Sequence, residues 1–248
     1  MRVDARVALF ARLIDHAPLF PPASLSLPEA LEEDRRALES EASFALARFV
    51  CPASLVRQLA DNGREISVVL DRDFPATFAP AAVELSYSHR DPGSLRPLAS
   101  EVYVEVAIDD ALEARLNELA ENGLRAKVRC GGATVPTGPE LARFLRGCAS
   151  RGLRFKATAG LHHAVRRGSE HGLVNLLAAV VFAGDEEDAL SESDPHAFAV
   201  TPEAFSWRGR TAGADELERA RLERLHSIGS CSFFEPIEEL ERLGMLPP

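Results

Sequence analysis

Lysine is almost absent from this chain. Of its 28 basic residues all but two are arginine, and the exceptions are Lys127 and Lys156. Each begins a K-x-x-x-G string, Lys127-Val-Arg-Cys-Gly131 and Lys156-Ala-Thr-Ala-Gly160, inside an apolar stretch that reads as a β-strand. A lysine amine that sheds its proton attacks a carbonyl carbon to form a Schiff base, whereas a guanidinium stays protonated and cannot. Two ammonium groups on neighbouring strands are expected to lower each other's pKa. A lysine kept inside a strand of an arginine-biased chain therefore points to amine chemistry.

Other charges interrupt strands in the same part of the sequence. Glu105 lies within Val102-Tyr-Val-Glu-Val-Ala and is the candidate proton shuttle. Arg129 follows Lys127 by two residues, so the period of two aims both at one face, where a guanidinium would hold a carboxylate or phosphate. Gly131, Gly132, Gly160 and the pair Gly229-Ser230 follow predicted strands, where backbone amides approach an anion closely. His162, His163 and His171 follow the Lys156 strand. They are candidates for proton transfer, or for a divalent metal together with Glu105 or Asp71. Adjacent His162 and His163 point apart in most backbones, so at most one of them faces the site, and His162 is the candidate for substrate contact.

The elements that must position these groups alternate. Short β-branched or aromatic runs are predicted as strands over Arg12 to His16, Ala45 to Cys51, Ile66 to Leu70, Val83 to Tyr87, Val102 to Ala107, Arg125 to Arg129, Arg154 to Thr158 and Leu225 to Gly229. Stretches with helical spacing lie between most of them. One helix carries Leu112, Leu116 and Leu119 after Asp109-Asp110 and stops at Gly123; another has Pro139 in its first turn and Leu141, Phe144, Leu145 and Cys148 on one face. Eight strands in a chain of 248 residues predict an α/β fold, a single (β/α)8 TIM barrel domain over residues 1–248. No G-x-G-x-x-G string favours an open dinucleotide-binding sheet. Asp71 to Pro80 and Ser88 to Ser100 are Pro-rich and short, which predicts an irregular side. Leu161 to Arg224 is too long for one connection and is an insertion between strands 7 and 8, with a helix over His171 to Ala183, an acidic turn at Asp185 to Asp188 and extra structure around Phe205 and Trp207.

Net charge and composition narrow the partners. At -10 and a pI of about 5.3, the chain lacks the basic stripe that nucleic acid or an anionic membrane requires. The first ten residues lack the apolar core of a signal peptide, and the longest apolar run, Leu176 to Ala183, is far too short to span a bilayer. A cytoplasmic protein is expected. Cys51, Cys130, Cys148 and Cys231 are widely spaced, so reduced thiols are expected rather than a zinc knuckle or disulfides.

The motifs also resemble a known family. Leu13-Ile-Asp-His-Ala-Pro-Leu-Phe-Pro-Pro resembles the opening strand of the deoxyribose-phosphate aldolases, with its I-D-H-T-x-L string, and Phe49-Val-Cys-Pro-Ala-Ser-Leu resembles their second. Lys127 to Gly131 followed by Gly132-Ala-Thr134 is similar to K-T-S-T-G and its later G-A-T, which carry the Schiff-base lysine. Phe155-Lys-Ala-Thr-Ala-Gly160 is similar to V-K-A-x-G-G, and Ser227-Ile-Gly-Ser-Cys231 to the phosphate-holding R-I-G-T-S. Order and approximate spacing persist along the chain. Arg129 and Cys130 replace small hydroxyl residues, His162-His163 replace Arg-Thr, and the catalytic aspartate of the fourth strand has no match, Glu84 being the nearest acid. The string K-A-T-A-G-L-H-H, with I-D-H-A-x-L-F-P-P, also resembles a group of uncharacterised bacterial proteins.

The resemblance implies fold and Schiff-base machinery more than a substrate. The expectation is a class I aldolase or related carbon-carbon lyase, without metal or cofactor, acting on a small phosphorylated or carboxylated carbonyl compound and possible as a homo-oligomer. Lys127 is then the nucleophile and Lys156 the neighbouring cation. Glu105 and Asp15 relay protons, while Arg129, Gly160, Gly229 and Ser230 hold the anion. Two alternatives stay open: a metal-dependent barrel lyase, isomerase or hydrolase using His162 and His171, and a non-catalytic barrel that binds an anionic metabolite.

Overall fold

The computed structural model describes residues 3–59, 63–73, 75, 77–87, 92–133 and 135–247, and in it eight parallel strands close into a barrel. They are β1 (Ile14–His16), β2 (Leu46–Pro52), β3 (Ile66–Val69), β4 (Ala82–Ser86), β5 (Glu101–Glu105), β6 (Arg125–Arg129), β7 (Phe155–Thr158) and, after three strands of an insertion, β11 (Leu225–Ser230). Around the barrel the order is β1-β11-β7-β6-β5-β4-β3-β2. This is the (β/α)8 architecture, and each predicted strand coincides with an observed one to within a few residues at its ends.

The sequences of β5 and β6 explain how the barrel is filled. Glu-Val-Tyr-Val-Glu and Arg-Ala-Lys-Val-Arg alternate charged or aromatic residues with small apolar ones. Val102, Val104, Ala126 and Val128 join the apolar layer beneath the helices, together with Leu112, Leu116, Leu141 and Phe144. The other set faces the barrel axis. Barrel interiors are ordinarily packed with Val, Ile and Leu; this one holds ionised groups. Towards the N-terminal ends of the strands, Glu101 pairs with Arg48 and Arg125, while Tyr103 and His226 join the same network.

Helices cover only part of the circumference. The β1–β2 connection contains α2 (Leu27–Glu39), β5–β6 contains α3 (Leu112–Glu121) and β6–β7 contains α4 (Gly138–Ala149). Between β2 and β5 the described residues form 3-10 turns at Ala53–Gln58 and Pro92–Leu98 in place of α-helices. This is the irregular side that the Pro-rich segments predict; residues 74, 76 and 88–91 of it lie outside the described residues. Thr134 of the G-A-T string lies outside them too. The insertion holds α5 (Leu173–Val181) and α6 (Glu186–Ser191), the latter where an acidic turn was expected. It continues as an antiparallel sheet of β8 (Phe198–Val200), β9 (Ala204–Trp207) and β10 (Arg210–Gly213), which buries Phe205 and Trp207, and then α7 (Ala214–Glu223). An initial helix, α1 (Ala5–Phe10), meets β9, and α8 (Phe234–Arg242) follows β11. Among the described residues no helix is long and apolar enough to cross a membrane. All four cysteines are free and buried.

Candidate functional site

Glu105, Lys127 and Lys156 stand in register on three adjacent strands, since Glu105 pairs with Lys127 across β5–β6 and Lys127 with Lys156 across β6–β7. All three line a cavity of about 630 Å³ bounded by the C-terminal ends of the strands. That end of a (β/α)8 barrel is where catalytic groups collect.

The two lysines differ sharply in surroundings. Lys156 is fully buried, and its Nζ donates to Asp15 Oδ2 at 2.5 Å and to Glu84 Oε1 at 2.6 Å. Burial alone would push this ammonium down, but Asp15 and Glu84 outweigh burial and hold it well above the ordinary lysine range. The expectation that the lysines lower each other's pKa is therefore corrected for Lys156. The physical reason is Glu84, whose carboxylate stands between them: Oε1 takes Lys156 and the Ser67 hydroxyl at 2.7 Å, and Oε2 lies 3.1 Å from Lys127 Nζ. Buried Glu84 is itself held far below the usual carboxylate range, because the two ammonium groups overcome the desolvation that raises it.

Lys127 occupies the outer position. Its Nζ lies 3.1 Å from Glu84 and 3.1 Å from Glu105, and the side chain keeps 8% of its exposure. Glu105 is more open, at 22%. It thus connects the amine to the cavity. Arg129 stands one step further out, half exposed, with its guanidinium 3.9 Å from Glu105. The shared face predicted for Lys127 and Arg129 is present.

Asp15 is placed differently from its expected role. It is fully buried behind Lys156, where Oδ2 also accepts from Ser227 Oγ at 2.7 Å and Oδ1 from the Arg48 amide. It does not line the cavity and touches it only through Lys156, so it positions that ammonium rather than relaying protons to a bound molecule.

The glycines serve the backbone first. A Cβ on Gly131 would lie 2.5 Å from the Gly160 Cα, so the loops after β6 and β7 touch main chain to main chain. Gly160 sits at φ +69° beside Ala159 at φ 61°, a pair of left-handed residues on the cavity wall. Gly132 is at φ +99° with the Arg129 guanidinium close against it. Gly229 lines the cavity and packs on Thr158. Ser230 does not line it: its hydroxyl donates to the Ser232 carbonyl.

The histidines separate. His162 reaches the cavity, 3.0 Å from Glu235 and 4.0 Å from Cys231 Sγ. Cys231, against the opposing effect of burial and with help from Glu235, holds its imidazolium up to about 9. His163 turns instead to Glu170 and Glu239. His171 is buried against the Pro136 carbonyl, lowered by that burial, and lies outside the cavity lining. Asp71 accepts from the Ser54 amide at the start of a 3-10 turn. Among the described residues no group of three His, Cys, Asp or Glu is arranged to hold a metal ion.

The chain matches no family model and no curated protein. Geometry alone therefore carries the functional argument. Sequence reasoning had marked Glu84 only as the nearest acid and had missed Ser67 and Arg48. All three interrupt apolar strands as Glu105 does, and that interruption was the available signal.

Proposed function

We propose that this chain is a Schiff-base enzyme, a class I aldolase or related carbon-carbon lyase acting on a small carbonyl compound that bears an anionic group. The observation that carries the reading is the position of Lys127: its amine sits at the cavity floor, 3.1 Å from two carboxylates of unequal exposure. Lys156 is fully buried and ion-paired with both Asp15 and Glu84, which favours Lys127 over it as the nucleophile.

In this reading Glu105 accepts the proton that Lys127 must lose. The amine adds to the substrate carbonyl, and the carbinolamine expels water to give an iminium ion. Withdrawal of electrons by that ion lets the neighbouring carbon-carbon bond break. The β-hydroxyl loses its proton and leaves as an aldehyde, while the bonding pair becomes an enamine. Protonation of the enamine carbon and return of one water release the second carbonyl product and the free amine. Glu105 is the carrier within reach for these transfers. Glu84, kept ionised, supplies a fixed negative charge beside the iminium. Arg129 and His162 offer positive charge to the substrate's anion at the mouth.

Borohydride reduction in the presence of pyruvate, acetaldehyde and other small carbonyl compounds tests the proposal, with mass spectrometry of the peptide containing Lys127. Covalent mass at Lys127, absent in Lys127→Met, is the expected result, and chelators should leave activity unchanged. Activity abolished by chelation and restored by a divalent ion would overturn it in favour of metal chemistry. Neither turnover nor trapping across the panel would favour a binding protein.

A further inference from the structure

The cavity wall is divided by polarity around the barrel axis. From β5 through β7 to β11 it presents Glu105, Lys127, Arg129, Lys156, Thr158 and His162. The opposite wall, from β1 to β3, presents Phe20, Pro21, Pro22, Val50, Val69 and Leu70. No ionisable side chain lines this second sector among the described residues. The volume, about 630 Å³, belongs to the range that takes ligands much larger than a three-carbon acid.

A polyhydroxylated substrate fits this division poorly. Hydroxyls carried past the reacting carbon would lie against Phe20, Val50, Val69 and Leu70, which offer their side chains no hydrogen bond. Burying a hydroxyl unpaired is unfavourable, whereas burying methylenes is favourable in proportion to area. Lys127, on β6, lies within the polar sector beside Glu84 of β4 and Glu105 of β5, and the barrel order sets β6 across the ring from β2 of the apolar wall.

We infer that the substrate is amphipathic: its anionic group lies with Arg129 and His162, its carbonyl reaches Lys127, and the fragment released as, or taken up from, an aldehyde is an apolar chain or ring seated on the β1–β3 wall. This rests on the Schiff-base reading and names its substrate class. It also separates the chain from the deoxyribose phosphate after which the resembled family is named.

The experiment pairs trapping with a substrate series on the intact protein. Borohydride trapping of pyruvate, or of acetaldehyde in its place, at Lys127 is measured first. Condensation of the donor so identified is then followed on unreduced protein with acetaldehyde, propanal, butanal, pentanal, benzaldehyde and glyceraldehyde. The specificity constant should rise about fourfold per added methylene, with glyceraldehyde below propanal. Val69→Thr, nearly isosteric and at the partly exposed end of β3, should flatten the rise without loss of trapping. Trapping with a flat series, or with glyceraldehyde preferred, overturns the inference and leaves the Schiff-base reading intact. Absence of trapping by every donor overturns both.

Discussion

Lys156→Met is the sharpest test of the buried charge arrangement, because it removes one cation shared by two fully enclosed carboxylates. The side chains of Lys156, Asp15 and Glu84 are 0%, 0% and 2% exposed. In the variant Asp15 keeps Ser227 and the Arg48 amide, with the Arg48 guanidinium 3.9 Å away; Glu84 keeps Ser67 and Lys127. Removing one partner of a buried pair costs about 3–5 kcal/mol. For a chain of this size that is about 6–20 °C in Tm. Lys127→Met should cost less than Lys156→Met, since Glu84 retains Lys156 at 2.6 Å and Glu105 is partly solvated. The pH dependence adds a fingerprint. Glu84 is depressed in the folded protein, so the stability it contributes is present above the ordinary carboxylate value of about 4.3 and fades as pH falls below it. Lys156 is raised, so its contribution is present below about pH 10.4 and is lost as pH rises beyond. The gap between wild type and Lys156→Met, read from urea unfolding, should therefore narrow from pH 7 towards pH 3. Equal losses in the two lysine variants, or a gap independent of pH, would refute the reasoning.

Three further outcomes follow from the site. Glu105→Gln should lower kcat by about 10²- to 10⁴-fold with a smaller change in Tm than Lys156→Met; retention of full kcat would remove Glu105 as proton carrier. His162, held up to about 9, stays cationic below that pH, so KM for an anionic substrate should rise as pH climbs through about 9 while that of a neutral analogue stays level. Gly131→Ala must push a Cβ within 2.5 Å of the Gly160 main chain and should cost about 1–3 kcal/mol in urea unfolding, whereas Gly138→Ala, with open space around it, should cost almost none.

The barrel was legible because its strands are short apolar runs spaced by amphipathic helices, and because an odd charge inside such a run has few places to go. Lys127 and Arg129 were readable as one face from period two, and Glu105 as a charge interrupting an apolar strand. The coverage between β2 and β5 was legible only as irregularity, since Pro-rich stretches announce the absence of helix without specifying what replaces it. The β8–β10 sheet was visible as extra structure around Phe205 and Trp207, but its hairpin pairing depends on contacts that local propensity does not encode. Ser230 illustrates another gap. A residue after a strand reads as an amide donor to an anion, yet Ser230 is itself the last residue of β11, paired with His16, and lies outside the cavity lining.

The mutual effect of the lysines is the instructive error. Two cations on adjacent strands predict repulsion only if nothing lies between them, and the barrel closes Glu84 of β4 and Asp15 of β1 around Lys156 from opposite sides. Neither contact is local: Asp15 is 141 residues from Lys156, and Glu84 is 72. Closure thus divides two chemically identical side chains into distinct roles. The inner lysine is fixed by two anions and balances a buried charge set. The outer one shares only the far oxygen of Glu84 and faces the cavity beside the more solvated Glu105. In the Schiff-base reading proposed above, an amine that must gain and lose protons needs the second environment, and the buried ion pairs that fix Lys156 also hold Glu84 ionised beside Lys127.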